Sequence, residues 1–266
     1  MPQIHPTAIV SPGARLAADV AIGPYCVIGE EVEIGPEVTL AAHVVVAGRT
    51  TIGAGTRIFP FASIGQEPQD LKYRGEASSL VIGCRNTIRE YVTMNPGTAG
   101  GGMITRVGND CLLMLGTHIA HDCQIADHVI MANNTTLGGH VTVEEYAFLG
   151  GVCAVHQFVR IGRHAMIGGM SGVERDVIPY GQAMGDRARL TGLNIIGMQR
   201  RGFSRDDIQA LRSAYQLLFY SAGTLSDRVG EAALRFAGIP PVEDIIRFIR
   251  ANSSRGLCQP PGTNGG

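Results

Sequence analysis

From Val107 to Val177 every sixth residue is aliphatic, running Val107, Leu113, Ile119, Ile125, Met131, Leu137, Val143, Leu149, Val155, Ile161, Ile167, Val173. Four residues after each stands a small or β-branched partner, from Cys111, Thr117 and Cys123 to Ser171 and Val177. An amphipathic helix repeats its stripe about every 3.6 residues and would drift out of register over this length. The pattern predicts a hexapeptide-repeat β-helix. Three hexads make one coil, so residues 18 apart lie one above the other at about 4.8 Å, the usual inter-strand spacing. Ile119, Leu137 and Val155 then begin stacked hexads. His121 falls under Gly139 and two coils under Gln157, with His140 and His156 on the same strip.

The same period occupies the first part of the chain, from Val10, Leu16 and Ile22 to Ile58 and Ile64, and resumes in phase at Ile82, Ile88 and Met94. The intervening residues 65–80 are polar and aperiodic, and long irregular loops on a rigid scaffold tend to carry function. A second excursion, residues 95–106, is glycine-rich and shifts the phase by one; it is expected to relieve a corner or shape a groove. Ten, three and twelve hexads make 25, or about eight coils. The expected architecture is mainly β, a β-helix over residues 1–186 followed by a helical cap over 187–256 and a disordered tail over 257–266. Ser204 with Asp207, Thr224 with Asp227, and Pro240–Pro241 open three short helices in the cap.

Composition refines this picture in three places. The 36 glycines recur in register with the aliphatic residues and mark corners rather than disorder. The net charge of −1 conceals an asymmetry: residues 187–266 hold 11 Arg against 6 acids, and residues 1–186 hold 11 Lys and Arg against 17 acids. Either an acidic partner meets the C-terminal segment, or basic helices pack on an acidic solenoid. Cys26, Cys111, Cys123 and Cys153 occupy the small inward position of a hexad, where a thiol acts as a compact hydrophobe, so neither disulfides nor structural zinc are expected. With no charged-then-apolar leader and no apolar run near 18 residues, a soluble cytoplasmic protein is expected.

The candidate chemistry lies on the strip. His121 is followed by Asp122, an imidazole beside a carboxylate that orients it as a general base. The stacked Gly139 offers a backbone N–H that a substrate oxygen can approach closely. A base and an oxyanion donor together suggest acyl transfer. Lys72, in the first loop, is the single lysine against 21 arginines, which points to a need for a compact ammonium; Asp70 is either its partner or a substrate contact. His5, His43, His128 and His164 lie off the strip and are expected to be solvated.

The segments EPQDLKY, IREYVTMNPGT, THIAHDC, AVHQF, IGGMSGV and NIIGMQRRGFSR closely resemble the UDP-N-acetylglucosamine acyltransferases of lipid A biosynthesis, and the resemblance runs from HPTAIV to SSRGL. It implies a left-handed parallel β-helix with a C-terminal helical domain, assembled as a homotrimer. It implies transfer of a (3R)-hydroxyacyl chain from acyl carrier protein to the 3-hydroxyl of UDP-N-acetylglucosamine. No cofactor beyond the carrier's phosphopantetheine is implied, no metal, no nucleic acid and no stable membrane insertion. By residue-wise match His121 corresponds to the general base, Asp122 to its partner and Gly139 to the oxyanion donor. Asp70, Lys72, His118 and His140 correspond to sugar and acyl-donor contacts. Gln157, Asn194, Arg200 and Arg201 correspond to nucleotide or phosphate contacts, and His156 matches a further site residue. Gly169 falls in the segment that sets acyl-chain length, where glycine leaves the groove deep; tight packing is the competing account. The chain departs from the family at Ile196, where many members carry a glutamate.

Three other readings compete with this one. Another hexapeptide acyltransferase is opposed by the HIAHDC segment. A trimeric zinc lyase would use three-histidine sites between subunits. A purely structural solenoid leaves the polar strip and Lys72 without a purpose.

Overall fold

The computed structural model describes residues 1–251 and 253–262. The chain winds as a left-handed parallel β-helix of triangular section. The three faces are sheets of mostly two-residue strands. The first face runs from Gln3–Ile4 to Arg189–Leu193, the second from Ile9–Val10 to Gly172–Val173, and the third from Arg15–Leu16 to Arg160–Ile161. Register follows the expected stacking, with Ile119 paired to Leu137, Leu137 to Val155 and Val155 to Val173. The six-residue period reflects two strand residues and a four-residue corner. The aliphatic residue that ends each strand points inward and the small residue four later fills the corner beneath it. All the aliphatic guide residues are buried except Val10 and Leu16, in the open N-terminal coils. The four inward cysteines are buried free thiols.

Most corners turn on a residue in the left-handed region, and most of these are not glycine: Asp122, His128, His140, Tyr146, Phe158, His164 and Tyr180 all have φ between 55° and 67°. Such a conformation costs on the order of 1 kcal/mol or more per residue. Aromatic rings stacked coil upon coil offset it. One ladder is Tyr25, His43, Phe61 and Tyr91, with ring centroids 5.0–5.2 Å apart. Another is His128, Tyr146, His164 and Tyr180 at 4.5–5.3 Å, and each stacked pair contributes roughly 0.5–1.5 kcal/mol beyond its buried area. The ladder corrects the expectation for His164. It is buried, its Nδ1 has no hydrogen-bond partner among the described residues, and burial with the nearby Arg201 and Arg163 charges pushes its pKa down to about 4.

Both loop excursions leave the corner between the second and third faces. Residues 65–78 join Ser63–Ile64 to Ser79–Ile82, and residues 95–103 join Thr93–Met94 to Ile104–Val107. The second excursion is therefore shorter than its glycine content suggested, because residues 104–106 already pair in the third face. Ser63 pairs with Thr93 and Thr93 with His118, offsets of 30 and 25 residues instead of 18.

The C-terminal end closes with a hairpin that periodicity did not announce, Gly181–Met184 antiparallel to Arg189–Leu193. The first face thus continues past the expected switch at residue 187. Among the described residues four helices follow: α1 Ile195–Arg200, α2 Arg205–Tyr220, α3 Leu225–Arg235 and α4 Pro240–Arg250. The last three match their sequence signals. Thr224 and Asp227 form a full capping box, Ser204 accepts from the Asp207 N–H, and proline opens α4. The short α1 was not foreseen. Residues 257–260 are not a free tail: Leu257 bridges Asp176, the Cys258 N–H donates to the Asp176 carbonyl, and Cys258 is buried. The end of the expected tail, residues 263–266, lies outside the described residues.

Candidate functional site

The corner between the second and third faces gathers the polar strip. Counting upward, its turns are the two loops, then residues 120–123, 138–141 and 156–159. His121 and Asp122 lie on the middle turn. Asp122 is buried, and its Oδ2 lies 2.8 Å from His121 Nδ1. A carboxylate can only accept, so Nδ1 carries the proton and Nε2 holds the lone pair.

The glycine-rich loop is a cradle for Asp122. The Thr98 N–H donates to both carboxylate oxygens at 3.0 and 3.2 Å, and the Thr98 hydroxyl donates to Oδ2 at 2.6 Å. The Asp122 N–H donates to the Thr105 hydroxyl at 2.8 Å. Any side chain at Gly101 would overlap the carboxylate, which is why the loop needs glycine there. Thr98, Gly101 and Thr105 were not found from the sequence; the one-residue phase shift of this excursion was the signal that it serves something specific.

Gly139 stacks on the His121 ring. A Cβ built on it would lie 2.5 Å from Cε1 and 2.6 Å from Nε2. Its N–H has no acceptor among the described residues. Other coils leave that N–H free as well; Gly139 differs in having no side chain over it and a base beneath it. His140 meets His121 edge-on, with centroids 5.0 Å apart, and stacks on Phe158 at 4.3 Å. Burial lowers the His140 pKa, with Asp122, His121, Asp70 and Lys72 acting on it in turn, so the loop charges reach this strip. His118 bonds Thr93 Oγ1 through Nδ1 at 2.7 Å, and burial lowers its pKa as well. His156 and Gln157 are exposed at the upper turn, His156 Nδ1 lying 3.2 Å from the Gln157 carbonyl.

In the loop, the Asp70 carboxylate accepts from the Lys72 backbone N–H at 2.9 Å. The Lys72 ammonium is exposed and forms no ion pair among the described residues, so Asp70 is its turn former and not its salt-bridge partner.

Other candidates lie elsewhere on the chain. Arg200, Arg201 and Ile196 line a cavity of about 590 Å³ with Phe148, Met166 and Gln182 of the first face. Arg201 sits over the Tyr146 ring at 5.1 Å. Asn194 borders this cavity, but both ends of its amide are engaged: it accepts from the Gly197 N–H at 3.0 Å and donates to the His164 carbonyl at 2.9 Å. Its place is the N-cap of α1. Gly169 is exposed at the corner between the first and second faces, with only Gly151 backbone near a built Cβ, at 3.3 Å for the carbonyl oxygen. Its neighbour Gly168 is the tightly packed one, facing Met184.

His121, Asp122 and His140 place donor atoms within 4.8 Å of one another, a set a divalent cation accepts. Here, however, His121 Nδ1 and the Thr98 donors already occupy the Asp122 oxygens. The arrangement is a carboxylate-oriented imidazole facing a free N–H, suited to deprotonating a hydroxyl and stabilising an oxyanion. Among the described residues no helix is long and apolar enough to cross a membrane.

Residues 176–258 match the family model of UDP N-acetylglucosamine O-acyltransferase, domain 2, and residues 13–48 match that of the bacterial transferase hexapeptide, six repeats. The acyl-(acyl-carrier-protein)–UDP-N-acetylglucosamine O-acyltransferase of Methylobacterium radiotolerans is 58% identical over 259 residues, covering 97% of this chain and 95% of its own. Its counterpart in Azorhizobium caulinodans is 52% identical over 257 residues, again covering 97% and 95%. Among solved structures, Francisella novicida UDP-N-acetylglucosamine acyltransferase superposes with a TM-score of 0.93 at 35% identity, covering 98% of this chain and 95% of that one. The Arabidopsis enzyme of the same name gives 0.85 at 36%, covering 96% and 100%. With identity this high over nearly its whole length, and with the same fold in the solved structures, the chain belongs to the acyl-(acyl-carrier-protein)–UDP-N-acetylglucosamine O-acyltransferase family.

Proposed function

We propose that this enzyme transfers a (3R)-hydroxyacyl chain from the phosphopantetheine thiol of acyl carrier protein to the 3-hydroxyl of UDP-N-acetylglucosamine, opening lipid A synthesis. The observation that carries the reading is the pairing of His121, oriented by buried Asp122, with the free N–H of Gly139 directly above it. His121 Nε2 takes the hydroxyl proton as the sugar oxygen attacks the thioester carbonyl. The Gly139 N–H holds the oxyanion of the tetrahedral intermediate, and Asp122 stabilises the imidazolium. Collapse breaks the C–S bond, the imidazolium returns its proton to the thiolate, and an ester and a free carrier thiol leave. Asp70, Lys72, His118 and His140 hold sugar and donor; His156 and Gln157 border the nucleotide end. No metal enters these steps.

The arginine cavity lies on the first face and the histidines on the opposite corner, so one chain does not bring both to one substrate. A homotrimer, in which Arg200 and Arg201 of one subunit serve the corner of the next, unites them. The exposed Tyr25, Phe61, Tyr91, Val152 and Met170, all on the corner between the first and second faces, suit burial in such an assembly. A carrier-protein donor implies a cytoplasmic enzyme.

The test is incubation of purified protein with UDP-N-acetylglucosamine and hydroxyacyl carrier proteins of several lengths, with and without chelator, beside His121→Ala. Ester formed by the unaltered protein alone, chelator notwithstanding, supports the reading. Activity that appears only with added zinc, and not with any acyl donor, would favour a lyase.

A further inference from the structure

After α4 the chain turns back along the coil, and its path there is held firmly. The Asp176 N–H donates to the Gly256 carbonyl at 2.9 Å and the Cys258 N–H to the Asp176 carbonyl at 2.8 Å. Asp176 itself is fully buried and paired with Arg160 at 2.7 Å. This anchoring delivers Arg255 to the histidine corner. Its Nε donates to the Gln157 carbonyl at 2.7 Å, and its guanidinium carbon lies 5.9 Å from the centre of the Phe158 ring. Phe158 stacks on His140 and His140 meets His121, so Arg255 ends a line of rings that begins at the base.

Two other arginines that pack between coil and cap have acidic partners: Arg160 has Asp176, and Arg163 has Glu145 and Asp244; Arg201, set over the Tyr146 ring, forms no ion pair among the described residues. Arg255 has none among the described residues, and its two terminal NH2 groups make no hydrogen bond there. A half-buried guanidinium with one nitrogen tied to backbone and the other two offered as a fork is preorganised for a planar anion. The exposed imidazole of His156 shares the same carbonyl, its Nδ1 lying 3.2 Å from the Gln157 oxygen.

Resting on the reaction proposed above, we infer that Arg255 binds a phosphate of a substrate at the upper end of the histidine strip. The reaction brings two phosphate-bearing ligands, the phosphopantetheine arm of the donor and the diphosphate of the acceptor. Arg255 recognises the chemistry they share, a phosphodiester-type anion presented edge-on to a guanidinium fork.

Steady-state kinetics of Arg255→Gln and Arg255→Lys, with thermal unfolding as a fold control, tests this. Arg255→Gln raises KM for one phosphate-bearing ligand about tenfold while kcat stays within about twofold; Arg255→Lys, which keeps the charge but loses the fork, falls between. If the ligand is the donor, the effect disappears with a hydroxyacyl-pantetheine lacking the phosphate. If it is the acceptor, KM for UDP-N-acetylglucosamine rises and the truncated donor changes nothing. Unchanged KM for both ligands overturns the inference, as does a fall in kcat alone, which would make Arg255 only a brace for Gln157. Direct titration of free phosphopantetheine and of UDP into unaltered and Arg255→Gln protein separates the two claims: absence of turnover with Arg255-dependent binding would fault the reaction, and equal binding by both proteins would fault the inference.

Discussion

The α-carbon of Gly139 lies against the ring of His121, so close that a methyl group on it would stand 2.5 Å from Cε1 and 2.6 Å from Nε2. The coil stacking leaves no room to relieve this, because His140 N–H is bonded to the His121 carbonyl and Phe158 N–H to the Gly139 carbonyl, both at 3.0 Å. Gly139→Ala is therefore expected to displace the imidazole and lower kcat on the order of 100-fold, with KM for both substrates little changed. Equal losses in kcat/KM arising wholly from KM would place the glycine in binding instead.

Asp122 depends on the loop at Thr98 as much as on His121. Thr98→Val removes the 2.6 Å hydroxyl bond but leaves the two backbone contacts, and a fall in kcat of roughly tenfold or more is expected, in line with about 1.5–3 kcal/mol for a bond to a charged group. Asp122→Asn can present an amide N–H to His121 Nδ1 and favour the wrong tautomer, so a loss of about 100-fold or more is expected in a folded protein. Near-normal turnover of Asp122→Asn would remove the carboxylate from the mechanism.

His164 links stability to pH. Its pKa lies near 4 in the fold against an ordinary 6.5. Between those values the unfolded chain binds the proton and the folded one does not, so stability falls as pH drops from 6.5 towards 4. The full contribution is present above 6.5 and is on the order of 3 kcal/mol. Burial depresses His118 and His140 in the same sense. His164→Phe, which keeps a ring between Tyr146 and Tyr180, should flatten this limb. Denaturant midpoints from pH 7 to pH 4.5 that run parallel for the two proteins would contradict it.

Gly169 is exposed, and a Cβ built on it would meet only Gly151 backbone, a tight 3.3 Å from the carbonyl oxygen that a small shift of the corner must relieve. If it sets the depth of the acyl groove, Gly169→Met folds normally and shifts preference to a donor shorter by several carbons. Competition between donors of different length measures this, and an unchanged preference would return Gly169 to a purely structural role.

Arg205 and Arg212 are exposed on α2, near Arg200 and Arg201 at the end of α1. If this segment steers an acidic carrier protein, the donor KM rises several-fold between low and physiological salt, and Arg205→Gln with Arg212→Gln flattens the dependence. Salt-independent donor KM would leave the basic helices as packing against an acidic coil.

The sequence by itself determined the coil. Six-residue periodicity reports which side chain points inward at each regular turn, because two-residue strands and four-residue corners repeat everywhere but at the two excursions and the few longer strands, and stacking at 18 residues follows from three hexads per coil. That arithmetic was enough to put Gly139 over His121 and His140 beside it. Capping residues did the same for α2, α3 and α4, where the signal is local. The tertiary structure alone decided what depends on residues far apart in the chain. Offsets of 30 and 25 at the loops break the simple count, so the sequence did not reveal that both excursions leave the histidine corner or that Thr98 holds Asp122. His164 reads as an outward residue in its hexad, yet the cap lays Phe203 against it, 5.1 Å between ring centres, and buries it. Asn194 matches a binding residue by position but is consumed as a helix cap. Arg255, 98 residues from Gln157, reaches that carbonyl only because the C-terminal segment folds back on Asp176. A repeat pattern constrains each residue relative to its own coil, and carries no information about what a cap or a loop will bring to it from outside.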